Sequence, residues 1–194
     1  MDLREMGKRA AAAKYQLQGL TTEEKNRALE HAAEALTEHT REILTANARD
    51  LDRGRENGMH QGLLDRLKLD QGRIAAMAQG LKQVAALPDP VGECLESFDR
   101  PNGLHIEKHR VPLGVIGIIY ESRPNVTADA FALCFKAGNA VILKGGSDAL
   151  ASNMAIAHVL QQALTDCGIG RDAVQLITDT NRAVTTAFMR LKEY

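Results

Sequence analysis

The 194-residue sequence has three cysteines, no excess of charge of either sign and no long apolar run. Each shortage excludes something. Cys94, Cys134 and Cys167 are odd in number and widely spaced, without a paired CxxC arrangement, which argues against a disulfide framework and a structural zinc site and fits a reducing cytoplasm. Lysine and arginine total 24 against 25 acidic side chains, so no global field favours nucleic acid or an acidic membrane, and neither is expected as a partner. No apolar segment is long enough to span a bilayer, and the opening MDLREMGKRA lacks the apolar region of a signal peptide. What is present, 44% hydrophobic residues, suffices to bury a core as one domain, or as one domain with a helical extension.

The chain is organised around residues 111–147, VPLGVIGIIYESRPNVTADAFALCFKAGNAVILKGGS. The apolar, β-branched run 113–120 predicts a strand buried on both faces. Pro124 suits the first position of a helix and Gly138 its end. Residues 140–143 predict a second strand, followed by Lys144, Gly145, Gly146 and Ser147 and a helical pattern over 148–167. Such βαβα units bind ligands beyond the carboxyl ends of their parallel strands. Chemistry is therefore expected at residues 120–125 and 144–147. There Lys144 supplies a cation, while the glycines and the following helix start supply room and free N–H groups. The glycine spacing matches neither GxGxxG nor a P-loop, so the corner alone does not distinguish a nucleotide site from a solvated turn.

The preceding residues are helical by pattern. Leu3, Met6, Ala10, Ala13, Leu17 and Leu20 form one apolar face. Thr21 and Glu24 form a capping box for a long second helix running through Leu29, Ala33, Leu36, Ile43, Leu44, Asn47 and Leu51. The charge-dense RDLDRGRE around Arg49 is assigned to a solvated helix end without function. Asp70 caps a third helix that carries Ile74, Met77, Leu81 and Val84. Residues 93–98 and 104–110 flank an Asn102-Gly103 turn and predict a β-hairpin. His105, Glu107 and His109 share one face of its second arm, but without a further ligand they do not make a metal site, and no metal is expected. Pairing with another chain, giving a homo-oligomer through residues 91–110, is expected instead. Further strand and helix patterns lie at 174–178 and from 181 on.

The order VPLGVIGIIYESRPNVTADA, ALCFKAGNAVILKGGSDA and the next helix closely resembles the aldehyde dehydrogenase superfamily. Within it, YESRPNVT, KAGNAVILKGGSDA, HTREILTANARDL and RPNGLHIEKHRVPLGVIG resemble the family of gamma-glutamyl phosphate reductases (glutamate-5-semialdehyde dehydrogenases), and the likeness covers essentially the whole chain. The resemblance implies an α/β fold with a helical lead-in over 1–90, an oligomerisation hairpin over 91–110 and part of a Rossmann-like NADP-binding domain over 111–194. It also implies NADPH-dependent reduction of L-glutamyl 5-phosphate to glutamate 5-semialdehyde and phosphate in proline biosynthesis, with glutamate 5-kinase as pathway neighbour. A cysteine thiolate attacks the acyl phosphate in that family, and the resulting thioester receives hydride. Lys144 matches the family lysine that bonds the adenosine ribose. Ser147 falls where many NAD-preferring members place a carboxylate, and a neutral serine spares a 2′-phosphate that repulsion. Gly145, Gly146, Tyr120, Glu121 and Ser122 complete the expected cofactor site.

The superfamily's oxyanion asparagine maps onto Ser122, Arg123 or Asn125 according to register. Asn125 is favoured for donor chemistry and Arg123 for attracting the substrate's anionic groups. The alternative for Asn125 is a helix N-terminal residue that bonds only its own backbone. None of the three cysteines stands in the family's nucleophile setting. The chain is thus expected to be the amino-terminal part of such an enzyme, without the catalytic domain and inactive alone. A non-catalytic dinucleotide-binding module and an oligomerising protein are the alternatives.

Overall fold

The computed structural model describes residues 2–194. Five helices lead in: α1 (Leu3–Gln18), α2 (Thr22–Glu38), α3 (Thr40–Glu56), α4 (Gln61–Leu67) and α5 (Gln71–Ala86). Side chains set their starts. Asp2 accepts from Arg4 N at 2.9 Å, the reciprocal Thr21–Glu24 capping box opens α2, and Asp70 accepts from Arg73 N at 2.8 Å.

The long second helix expected from the sequence is two helices that meet at His39. Around the break, Thr37 donates to Ala33 O at 3.2 Å and Thr40 to Thr37 O at 2.7 Å, so hydroxyls compete for carbonyls that a continuous ladder would use. The break also lets two stripes face different neighbours. α2 packs mainly on α5 and α7, while α3 packs along α7 and α4.

The hairpin is β1 (Cys94–Asp99) against β2 (His105–His109), antiparallel, with an irregularity between Cys94 and Glu96. Its turn is not a two-residue Asn-Gly type. Pro101 fixes the φ of the second position of a turn running from Arg100 to Gly103, in which Gly103 N donates to Arg100 O at 2.9 Å. Only Gly103, at φ 86°, takes a positive φ there.

The remaining strands, β3 (Val115–Ile119), β4 (Ala140–Lys144) and β5 (Val174–Leu176), form a parallel sheet in the order β3-β4-β5. α6 (Asn125–Lys136) and α7 (Leu150–Asp166) make the crossovers, and α8 (Arg182–Met189) follows β5. Every residue of β4 is buried. β3, expected to be buried on both faces, is instead an edge strand with one hydrogen-bonded neighbour: Gly117 and Ile119 are exposed, and Leu113 lies outside the strand. One close approach is made to it: a Cβ on Gly117 would meet the Phe188 ring at 2.7 Å, while Gly7 of α1 lies against the Tyr194 ring.

A buried polar link joins α2 to the segment that follows α5. Lys25, 2% exposed, pairs with Asp89, which also accepts from Thr22 at 2.9 Å and from Val91 N at 3.0 Å. Burial would raise the Asp89 carboxyl, but the hydrogen bonds, led by that of Lys25, outweigh it and hold it below its ordinary range. Among the described residues no helix is long and apolar enough to cross a membrane.

Candidate functional site

Two structures stand at the carboxyl end of the sheet, where a parallel α/β fold places its ligands. The first is the corner after β4. Tyr120 N donates to Lys144 O at 3.1 Å, which fastens this corner to the end of β3. Gly145 is buried so tightly that a Cβ would lie 2.2 Å from Asn153 Nδ2 and 3.2 Å from the Tyr120 hydroxyl. A Cβ on Gly146 would lie 3.5 Å from the Glu121 and Ser122 backbone, and Ser122 Oγ donates to Asp148 at 3.0 Å. Of the expected cofactor residues, Tyr120, Glu121, Ser122, Lys144, Gly145 and Gly146 thus come together. Ser147 is exposed and opens a short 3-10 turn, Ser147–Ala149, that leads into α7.

Lys144 is 7% exposed, and its Nζ donates to Gly145 O at 2.9 Å. Strand alternation places its side chain on the face of Ile142 and Ile119, the face covered by α1 and Phe188. Tyr120 takes the other face. There its hydroxyl meets Thr127 Oγ1 at 2.6 Å, and Thr127 donates to Asn153 Oδ1 at 3.1 Å. Asn153 is 1% exposed, and its Nδ2 is the one buried side-chain polar atom among the described residues without a partner. Burial pushes the Tyr120 phenol up to about 12, with the Thr127 hydrogen bond opposing, so it is a neutral hydroxyl at physiological pH.

The corner is positioned from α3, by residues to which the sequence pattern gave no such role. Asp50, 1% exposed, accepts from Ala151 N at 3.1 Å, Ser152 N at 2.7 Å and Ser152 Oγ at 2.7 Å, and it pairs with Arg53. Arg53 in turn donates to Ser147 O at 3.2 Å. Asn47 bonds Leu67 O, Leu69 N and Ser152 Oγ, tying the α4–α5 connection to α7. Part of the segment assigned to a solvated helix end is therefore a buried brace. Its signal was periodicity: Ile43, Asn47, Asp50 and Gly54 follow the apolar stripe of α3, and polar residues on such a stripe need partners.

The second structure is a cleft of about 450 Å³ between the start of α6 and the α4–α5 connection. Arg123 and Asn125 open onto it rather than onto the Lys144 corner, together with Asp129, Arg66, Lys68 and Arg73. Asn125 Nδ2 donates to Asp129 Oδ2 at 3.0 Å, so it bonds a side chain one helical turn away rather than only its own backbone. Burial raises the Asp129 carboxyl, against the Asn125 bond that lowers it. Arg73 donates to Asp65 O at 2.7 Å and to Lys68 O, which fixes the connection that forms this wall. The sequence pattern gave no sign of Asp129, Arg66 or Arg73, because nothing in their spacing shows that the fold brings them together.

The cysteines are placed apart from both structures. Cys134 is buried in α6, and burial pushes its thiol up to about 11. Cys167 follows α7, with its thiol raised by burial and by Asp166. Cys94 is exposed on the hairpin, where its sulfur lies within 4.8 Å of ligand atoms of Glu107 and His109. Those two bond each other at 3.0 Å. The Glu107 bond, with the Gly92 carbonyl, raises His109, and His109 and His105 lower Glu107.

A model described as the aldehyde dehydrogenase family matches residues 1–194. Over 186 residues the chain is 55% identical to a gamma-glutamyl phosphate reductase of Brucella anthropi, covering 96% of this chain and 44% of that protein. Its counterpart in Moorella thermoacetica is 52% identical over 194 residues, covering 100% of this chain and 46% of that one. The crystal structure of gamma-glutamyl phosphate reductase from Thermotoga maritima superposes with a TM-score of 0.98 at 44% identity, over 100% of this chain and 47% of that one. The Saccharomyces cerevisiae enzyme superposes at 0.89 and 32% identity, over 100% and 50%. The chain thus spans about half the length of the relatives it matches.

Proposed function

Since this chain belongs to the aldehyde dehydrogenase family, we propose that it forms part of a reductase of the gamma-glutamyl phosphate type, which serves proline biosynthesis by converting L-glutamyl 5-phosphate to glutamate 5-semialdehyde and phosphate with NADPH. The observation that carries this reading is the identity above 50% to such reductases over nearly the whole chain. The β4 corner fits a phosphorylated dinucleotide. Lys144 is a buried cation that uses one of its donors on a backbone carbonyl, the partly exposed Gly146 leaves room for close approach to the backbone, and Asn153 keeps an unpartnered buried donor beside Gly145. When bound, the dinucleotide would supply hydride. Lys144 would hold its adenosine ribose, and exposed Ser147 would leave space and neutrality for a 2′-phosphate.

The other half of the chemistry belongs to the cleft. Asn125 is a fixed amide donor at the start of α6 and takes the oxyanion role, while Arg123 draws the phosphate end of the substrate. None of Cys94, Cys134 and Cys167 is the attacking thiolate, since raised or remote thiols make poor nucleophiles there, and the nucleophile comes from outside residues 1–194. The exposed hairpin, with Leu95 and Leu104 open to solvent, pairs with another copy. Sedimentation of a chain whose residues 94–109 are replaced by a Gly-Ser link should show a smaller species, and an unchanged one would remove this assignment.

Calorimetric titration of the 194-residue chain tests the cofactor reading. NADPH should bind, Lys144→Met should weaken it about tenfold or more, and Ser147→Glu should weaken NADPH far more than NADH. Failure of NADPH to bind, or equal losses for both dinucleotides in Ser147→Glu, would sink it.

A further inference from the structure

The α4–α6 cleft has an unusual charge inventory. Arg66, Lys68, Arg73 and Arg123 surround it with four cations, and Asp129 is its single carboxylate. Yet among the described residues Asp129 has no cation within 4.0 Å, and its only hydrogen bond there comes from the neutral Asn125 amide. Among the same described residues Arg66, Lys68 and Arg123 lack carboxylate partners, whereas Arg73 is spent on backbone carbonyls that hold the wall in place. A half-buried carboxylate within reach of several cations normally acquires one, because a bare buried charge is costly. Here both signs stay uncommitted around one cleft, and Leu69 and Met77 give it an apolar wall.

This pattern matches a small molecule with one ammonium, two anionic groups and a short methylene chain between them. Cations alone would suit any polyanion, but a lone carboxylate among them disfavours a simple dicarboxylate or phosphate and suits an amino acid. We propose that the cleft recognises the amino-acid end of the substrate, with Asp129 receiving the α-ammonium, Arg66 and Lys68 the α-carboxylate, and Arg123 the distal phosphate. The inference rests on the reductase reading above and adds to it the residue that distinguishes an α-amino acyl phosphate from its desamino counterpart. Asp129 is a specificity residue here. Asn125, bonded to it, is held in place by the same contact that the ammonium would share.

The test uses two stable phosphonates with the chain length of L-glutamyl 5-phosphate, one carrying the L-α-amino group and one lacking it, titrated into the 194-residue chain. The amino compound should bind more tightly by about tenfold or more, the usual discrimination of a charge-assisted hydrogen bond. Asp129→Asn should abolish that preference and leave NADPH binding unchanged, Asp129→Glu should retain it, and Arg66→Gln should weaken both phosphonates alike. Equal affinity of the two compounds for the parent chain, or a preference that survives Asp129→Asn, would overturn the assignment whether or not NADPH binds. Loss of NADPH binding alone counts against the cofactor reading and leaves this one standing. Should Asp129→Asn fail to fold, the parent comparison with Asp129→Glu and Arg66→Gln still decides it.

Discussion

The corner after β4 and the cleft after β3 stand at the same end of one sheet, yet they are built in opposite ways. The corner is made of backbone. Lys144, Gly145 and Asn153 are buried, and the glycine position has no space for a methyl group. The cleft is made of side chains: Arg66, Lys68, Arg73 and Arg123 are exposed, and they reach it from the end of α4, the link to α5, the start of α5 and the turn before α6. The difference teaches where rigidity is needed. On the proposed function, a dinucleotide at the corner would require a fixed platform, whereas a small charged substrate in the cleft would be selected by the sum of charges around it.

Removing the brace beneath the corner should break the comparison most visibly. Asp50→Ala leaves Ala151 N, Ser152 N and Ser152 Oγ without their acceptor and Arg53 without its partner, at the buried start of α7. The expected cost is about 3–4 kcal/mol, which lowers the thermal midpoint by roughly 10 °C in a chain of this size. Exposed cleft residues make a matched control, because Arg66→Ala should stay within about 0.5 kcal/mol of the parent. Calorimetric melting of both variants checks this. Similar midpoints would mean that the corner is not the rigid half.

The same contrast explains what could be read from the sequence. The central β3-α6-β4 order, the caps at Thr21 and Asp70, and the glycine corner follow from periodicity and local backbone chemistry, which are written in consecutive residues. The chain's two misread helical and strand features failed for tertiary reasons. The helix break at His39 depends on what α2 and α3 pack against. The exposure of β3 goes with its having no strand on its outer edge among the described residues, since an apolar run reads alike in an edge and in a centre strand. Asp50 was hidden by composition, because a charged residue within RDLDRGRE looks solvated until its place on the buried stripe is weighed against its neighbours. The cleft was least legible of all. Arg66 at the end of α4 and Asp129 on α6 line one cleft only because α5, which follows α4, packs on α6, and no spacing in the sequence encodes that.

A smaller effect than that of Asp50 is expected at Tyr120, which stands between the two structures. Its hydroxyl touches Thr127 in the corner's interior, and burial carries its phenol to about 12 from an ordinary 10.0. Between those values the unfolded chain loses the proton that the folded chain keeps. Stability should therefore be level for this group below about pH 9 and fall as pH rises through 10 to 12, by up to about 1.4 kcal/mol per pH unit. Tyr120→Phe should cost only about 1 kcal/mol at neutral pH, since Thr127 can still donate to Asn153, and should remove this alkaline slope. Urea midpoints of parent and variant at pH 8 and pH 11 measure both. Lysine and other tyrosine titrations are common to the two chains and cancel in the difference. If the gap between them is the same at both pH values, the Tyr120 hydroxyl is reached by solvent, and the interior of the corner is looser than its hydrogen bonds suggest.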